Sequence, residues 1–201
     1  MPERRAIAAA GAAMVALVAG TGCNLVGDSE EADVATAVDD AEGMGVTARC
    51  VVTDPEGELL LYPGSFTPTA RTRLVSVVLE GEANLEVVED SAVGYRGPDD
   101  LQGVVDEYPP PSTSFIAALA DWEARRPATG LVTRPRDGRQ AVLVAVRLED
   151  SGKPGHVRGV TIKARTPSGP RTIGWEQLVL ALPHGEACTP EVVADTIEWT
   201  G

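Results

Sequence analysis

Aromatic residues are scarce in this 201-residue chain, at 4%, and histidine occurs only twice, as His156 and His184. Imidazole chemistry therefore has little to draw on. The formal net charge of −13 repels phosphate backbones, and no Lys/Arg run interrupts it, so nucleic acid is not an expected partner. The sequence contains no G-x-S-x-G elbow, no H-E-x-x-H, no G-x-G-x-x-G and no Walker loop. His184 and Cys188 stand four apart and would sketch a metal site with Cys50, yet zinc wants about four ligands and extracellular thiols oxidise. Neither a metal nor another cofactor is expected. Hydrophobic content of 43% and a mean hydropathy of −0.03 are ordinary for a globular protein, which argues against both a multi-spanning membrane protein and a wholly disordered chain.

What is present begins at the N-terminus. Arg4 and Arg5 form a basic start, residues 6–19 carry no charge, and Gly20, Thr21 and Gly22 are small residues before Cys23. This is a signal-peptide layout, and the apolar run falls short of the roughly 20 residues that span a bilayer. The stretch resembles a bacterial lipoprotein signal, in which a small residue precedes the cysteine that receives diacylglycerol. Thr21, Gly22 and Cys23 fit that pattern; Gly20 departs from it, since an aliphatic residue is usual there. An ordinary secretory signal or an uncleaved anchor would leave Cys23 incidental. The resemblance implies residues 1–22 as signal peptide and Cys23 as the lipidation site. Residues 24–45 hold seven acids and no Lys or Arg, so residues 23–45 are expected to form a disordered, self-repelling tether, with a short solvated helix as the alternative. The acids lack the ligand alternation and central glycine of an EF-hand.

From residue 46 the pattern turns to period two. Residues 47–53, 58–62, 71–80, 85–88 with 93–95, 140–148, 157–165 and 171–182 read as strand material, with Asp54-Pro55-Glu56-Gly57 as a turn and residues 166–170 as a hairpin loop. Residues 140–148 (QAVLVAVRL) are apolar on both faces and are expected to be central. Turn-punctuated short strands argue for a mainly β, antiparallel sandwich or barrel rather than a βαβ fold. One segment breaks the rule: residues 112–126 place Phe115, Ile116, Leu119 and Trp122 at helical spacing, which predicts a short helix crossing between the sheets. Trp122 and Phe115 would then plug the core, with an exposed aromatic anchor as the alternative reading of Trp122.

The motifs LYPGSFTPT at 61–69, W-E-x-R-R-P at 122–127 and R-G-V-x-I-K at 158–163 resemble small immunoglobulin-like or fibronectin-type sandwich domains of cell-envelope lipoproteins and membrane proteins. The resemblance covers roughly residues 46–190, leaves 191–201 as a tail, and implies architecture without activity. With Cys23 lipidated, Cys50 and Cys188 form an even pair in an oxidising compartment, the arithmetic of one disulfide. Such a bridge would contribute on the order of 4–5 kcal/mol. Two buried free thiols are the alternative.

The loop at 94–112 carries Tyr95, Tyr108, three consecutive prolines including Pro110, and four acids. A Pro-stiffened, Tyr-bearing surface next to Trp122 is the candidate contact for an envelope protein or peptide, against the plainer reading of a connection between sheets. The expected function is a lipid-anchored, extracytoplasmic binding or accessory module held at the cell membrane. Two alternatives stand beside it: an envelope-polymer hydrolase using loop carboxylates between Asp99 and Glu107, and a structural spacer in an envelope complex.

Overall fold

A computed structural model describes residues 48–99 and 101–199, with side chains placed up to residue 195; the signal segment, Cys23 and the acidic tether lie outside the described residues. Ten strands form two five-stranded sheets. The first sheet runs β1 (Ala48–Val52), β10 (Gly169–Leu182), β9 (Gly155–Thr166), β3 (Thr72–Glu80) and β7 (Val132–Thr133). The second runs β5 (Gly103–Val105), β2 (Glu58–Phe66), β8 (Gln140–Leu148), β4 (Leu85–Gly94) and β6 (Arg126–Pro127).

The strands follow from their residues. In β8 every side chain except Arg147 is buried, because the strand lies between β2 and β4 and is covered on both faces. Val142, Val144, Val146 and Leu148 point to the core between the sheets, where they meet Leu59, Leu61, Leu74 and Ile162. The β1–β2 turn is closed by a hydrogen bond from the Gly57 amide to the Asp54 carbonyl at 2.9 Å, with Gly57 at φ +79°, a conformation that costs glycine no Cβ clash. The β9–β10 hairpin forms at the expected place, pairing Thr166 with Gly169.

Three features differ from the sequence expectation. The sandwich is not wholly antiparallel, since β1 pairs with β10 in parallel, Cys50 opposite Leu180. Parallel neighbours need a long connection, and nearly the whole domain supplies it here. The predicted 112–126 helix is shorter and lies elsewhere. Its α-helical part, α1, spans Phe115–Leu119 and is capped by Ser114, whose Oγ accepts from the Ala117 amide; a 3₁₀ turn follows at Trp122–Ala124. Ala120 breaks the helix by turning extended to bridge Tyr95. Rather than crossing between the sheets, α1 covers the outer face of the second sheet. There Ile116 and Ala120 pack with Leu60, Tyr62, Val93 and Leu143, residues that alternate with those facing the main core.

The C-terminal stretch also folds back. Helix α2 (Pro190–Trp199) buries Val193 against Cys50, Leu180 and Leu182 on the outer face of the first sheet. Cys50 and Cys188 are joined by a disulfide, with Cα atoms 5.8 Å apart, so the first strand and the approach to α2 are covalently tied. Each sheet thus carries helical cover on its outer side, and among the described residues no helix is long and apolar enough to cross a membrane.

Candidate functional site

The site builds outward from Tyr62 in β2. Its ring lies in the core under α1, with centroids 5.3 Å from Tyr95 and 6.1 Å from Phe115. Burial, and then the neighbouring Tyr95 hydroxyl, push the Tyr62 hydroxyl well above its ordinary pKa. Neither phenolic oxygen has a partner at hydrogen-bonding geometry. Tyr95 is 6% exposed, so it belongs to the layer behind the loop and not to its surface. Close fitting here depends on glycine: a Cβ at Gly103 would overlap the Phe115 ring, and one at Gly97 would overlap the Tyr95 hydroxyl.

Tyr108, Pro110 and Trp122 are brought together above that layer. Glu89 of β4 organises them. Its Oε2 accepts the Tyr108 hydroxyl at 2.5 Å, and its Oε1 lies 3.3 Å from Arg125 Nε. The Arg125 guanidinium in turn stacks 4.0 Å above the Trp122 ring, and Tyr108 meets Trp122 edge-on at 6.1 Å. Burial, followed by the Glu89 carboxylate, raises the Tyr108 pKa to about 12. Asp54 fixes the loop from the other side: its Oδ1 accepts the Glu58 amide at 2.7 Å and its Oδ2 the Tyr108 amide at 3.4 Å. The Tyr108–Pro109 peptide is cis.

Beside this cluster lies an open groove of about 630 Å³. Pro109, Pro110, Leu119 and Trp122 supply its apolar lining, while Arg96, Asp121 and Glu123 add charge of both signs. Its backbone is fixed, since the Arg96 amide donates to the Leu119 carbonyl at 3.0 Å. Such a surface can grip an apolar group by area and orient it through polar contacts at the rim.

Glu89, Arg125 and Asp54 were not singled out by sequence reasoning. Arg125 sits in the W-E-x-R-R-P motif, but Glu89 reads as an ordinary strand acid and only the register brings it under Tyr108. Asp100 lies outside the described residues, and the other loop acids sit at the surface. Asp99 is ion-paired with Arg139, and Asp106 and Glu107 are exposed. His184 is exposed, with Nδ1 3.3 Å from the Thr53 carbonyl. His156 lies in β9, where burial and then Arg158 lower its pKa. Among the described residues no group of three His, Cys, Asp or Glu side chains is placed to hold a metal ion.

Fold and site together define a disulfide-closed, two-sheet β-sandwich with a surface groove beside Trp122. No protein-family model and no curated protein matches the chain.

Proposed function

We propose that the chain is a lipid-anchored, extracytoplasmic binding or accessory module of the cell envelope, built on an immunoglobulin-like scaffold. The observation that carries the reading is the Cys50–Cys188 disulfide, because such cross-links form and persist in oxidising compartments outside the cytosol. That environment agrees with the signal-like N-terminus and leaves Cys23 as the one cysteine free for acylation. Strand order supports the immunoglobulin-like scaffold. Taken in chain order from β2, the six long strands correspond to strands B to G of a constant-type immunoglobulin sandwich, with β2-β8-β4 facing β10-β9-β3. The first strand differs, pairing with the last strand instead of with β2.

A partner-binding role is supported by the groove at Pro110 and Trp122, where Arg125 stacks on the Trp122 ring and is itself held, with Tyr108, by Glu89 before any ligand arrives. Rigid groups lose little conformational freedom on binding. The exposed positions of Asp106 and Glu107 give the hydrolase reading no comparable support.

Intact mass spectrometry of protein from the host's membrane fraction, with and without reduction, tests the reading. The expected result is a chain starting at Cys23 with added acyl mass that gains two hydrogens on reduction. An unlipidated chain retaining residues 1–22 overturns it.

A further inference from the structure

The basic residues of this acidic chain are scattered in sequence but gathered in space. On β3 and β9, Leu74, Ile162 and Ala164 face the core, so Arg73, Lys163 and Arg165, which alternate with them, stand on the outer face of the first sheet. All three are exposed. Register sets Arg73 directly opposite Arg165, and Lys163 between Ser76 and Thr172. Among the described residues Arg73, Lys163 and Arg165 make no ion pair.

Two features separate this patch from an ordinary solvated surface. Like charges directly opposite on adjacent strands destabilise a sheet, and here no acid offsets them. Charge is also segregated along the face. The acids of these strands, Glu80 and Glu176, flank Gly159, which is four residues from Lys163 along β9 and so about 13 Å away. The patch is an exposed part of the sheet face, whereas the groove at Trp122 belongs to the opposite sheet. Exposed cations spread over neighbouring strands suit a plane of anions, and guanidinium, ammonium and hydroxyl donors side by side suit phosphate oxygens.

We infer that the β3–β9 part of the first sheet's outer face, apart from the β1–β10 part under α2, docks through Arg73, Lys163 and Arg165 on the phosphate headgroups of anionic lipids. The inference rests on the anchored reading only for bringing that surface within reach; docking itself requires no acyl chain. The remaining acidic surface would be repelled by the same membrane, so the patch sets the domain's orientation as well as its contact.

The test uses the full chain carrying Cys23→Ser, which separates docking from acylation. Co-sedimentation compares vesicles of phosphatidylcholine alone with vesicles that also contain phosphatidylglycerol, at low and high salt. The expected result is salt-sensitive preference for the anionic vesicles, weakened roughly tenfold or more in R73Q/K163Q/R165Q. The charge-matched control R126Q/R147Q/K153Q, which removes three cations on exposed residues outside the patch, should keep the preference, and R73K/R165K should retain most of it. Equal loss in the control variant would reduce the effect to net charge and overturn the inference. So would the absence of any preference for anionic vesicles, or binding to soluble polyphosphate without binding to vesicles. Thermal melts of all variants establish that each is folded. An unlipidated native chain with the vesicle preference intact would sink the anchor alone.

Discussion

Glu89 has two valines before it and an aspartate after it, and nothing in that local string distinguishes it from a solvated strand acid. Its role comes from position, because one carboxylate receives Tyr108 and Arg125 together and so ties the 94–112 loop to β4. Tyr108→Phe should lower stability by about 1 kcal/mol, since the bond is charge-assisted but Glu89 remains partly solvated; chemical denaturation reads the change. A pH dependence follows from the same residue. Tyr108 titrates at about 12 in the fold against 10.0 for a free tyrosine, so the folded state holds its proton where the unfolded chain releases it. Its contribution is complete below pH 10 and is lost as pH rises from 10 towards 12. Tyr62 is shifted in the same direction and adds to the loss. Denaturation midpoints should therefore fall steeply above pH 10, and more gently in Tyr108→Phe. An identical slope in both proteins would remove Tyr108 from the account.

At the scale of elements, α1 shows what local pattern conveys and where it stops. The apolar spacing of Phe115, Ile116 and Leu119 announced a helix with a buried face, and Ser114 offers the cap. The break at Ala120 was not legible, because it is made by a bridge to Tyr95, 25 residues earlier in the chain. The face that α1 covers was equally hidden: a strand apolar on both sides, such as β8, requires cover twice, yet does not say which segment supplies it. By contrast, β8 and the β9–β10 hairpin were readable, since alternation and turn residues are local signals. The basic strip lay beyond reach for the reason that hid Glu89: Arg73 and Arg165 are neighbours only through strand register. Ile116 is fully buried in the layer above Tyr62. Ile116→Ala should cost roughly 2–5 kcal/mol and open the 106–124 segment to limited proteolysis before the sandwich unfolds. Simultaneous digestion of the strands would mean that α1 and the sheets unfold as one unit.

For the whole molecule, the disulfide decides how the ends are held. Cys50 and Cys188 are separated by 138 positions, so cross-linking them removes loop-closure freedom from nearly the entire unfolded domain, worth about 5 kcal/mol in the chain-entropy model. Its folded-state role is local: it pins the approach to α2 over Leu180 and Leu182, against which Val193 of the helix is buried. The two roles have separable signatures. Replacing both cysteines with alanine should lower unfolding free energy by roughly 2–5 kcal/mol, as measured with denaturant. Hydrogen exchange under native conditions should show α2 losing protection first, while β8, enclosed between β2 and β4, keeps protection up to the reduced global limit. The parallel β1–β10 ladder remains after the bridge is gone and spans only five residue pairs. If the double variant unfolds at the same denaturant concentration as the native chain, that ladder and the buried Val193 suffice to hold the ends. The bridge would then add neither entropy to the comparison nor protection to α2.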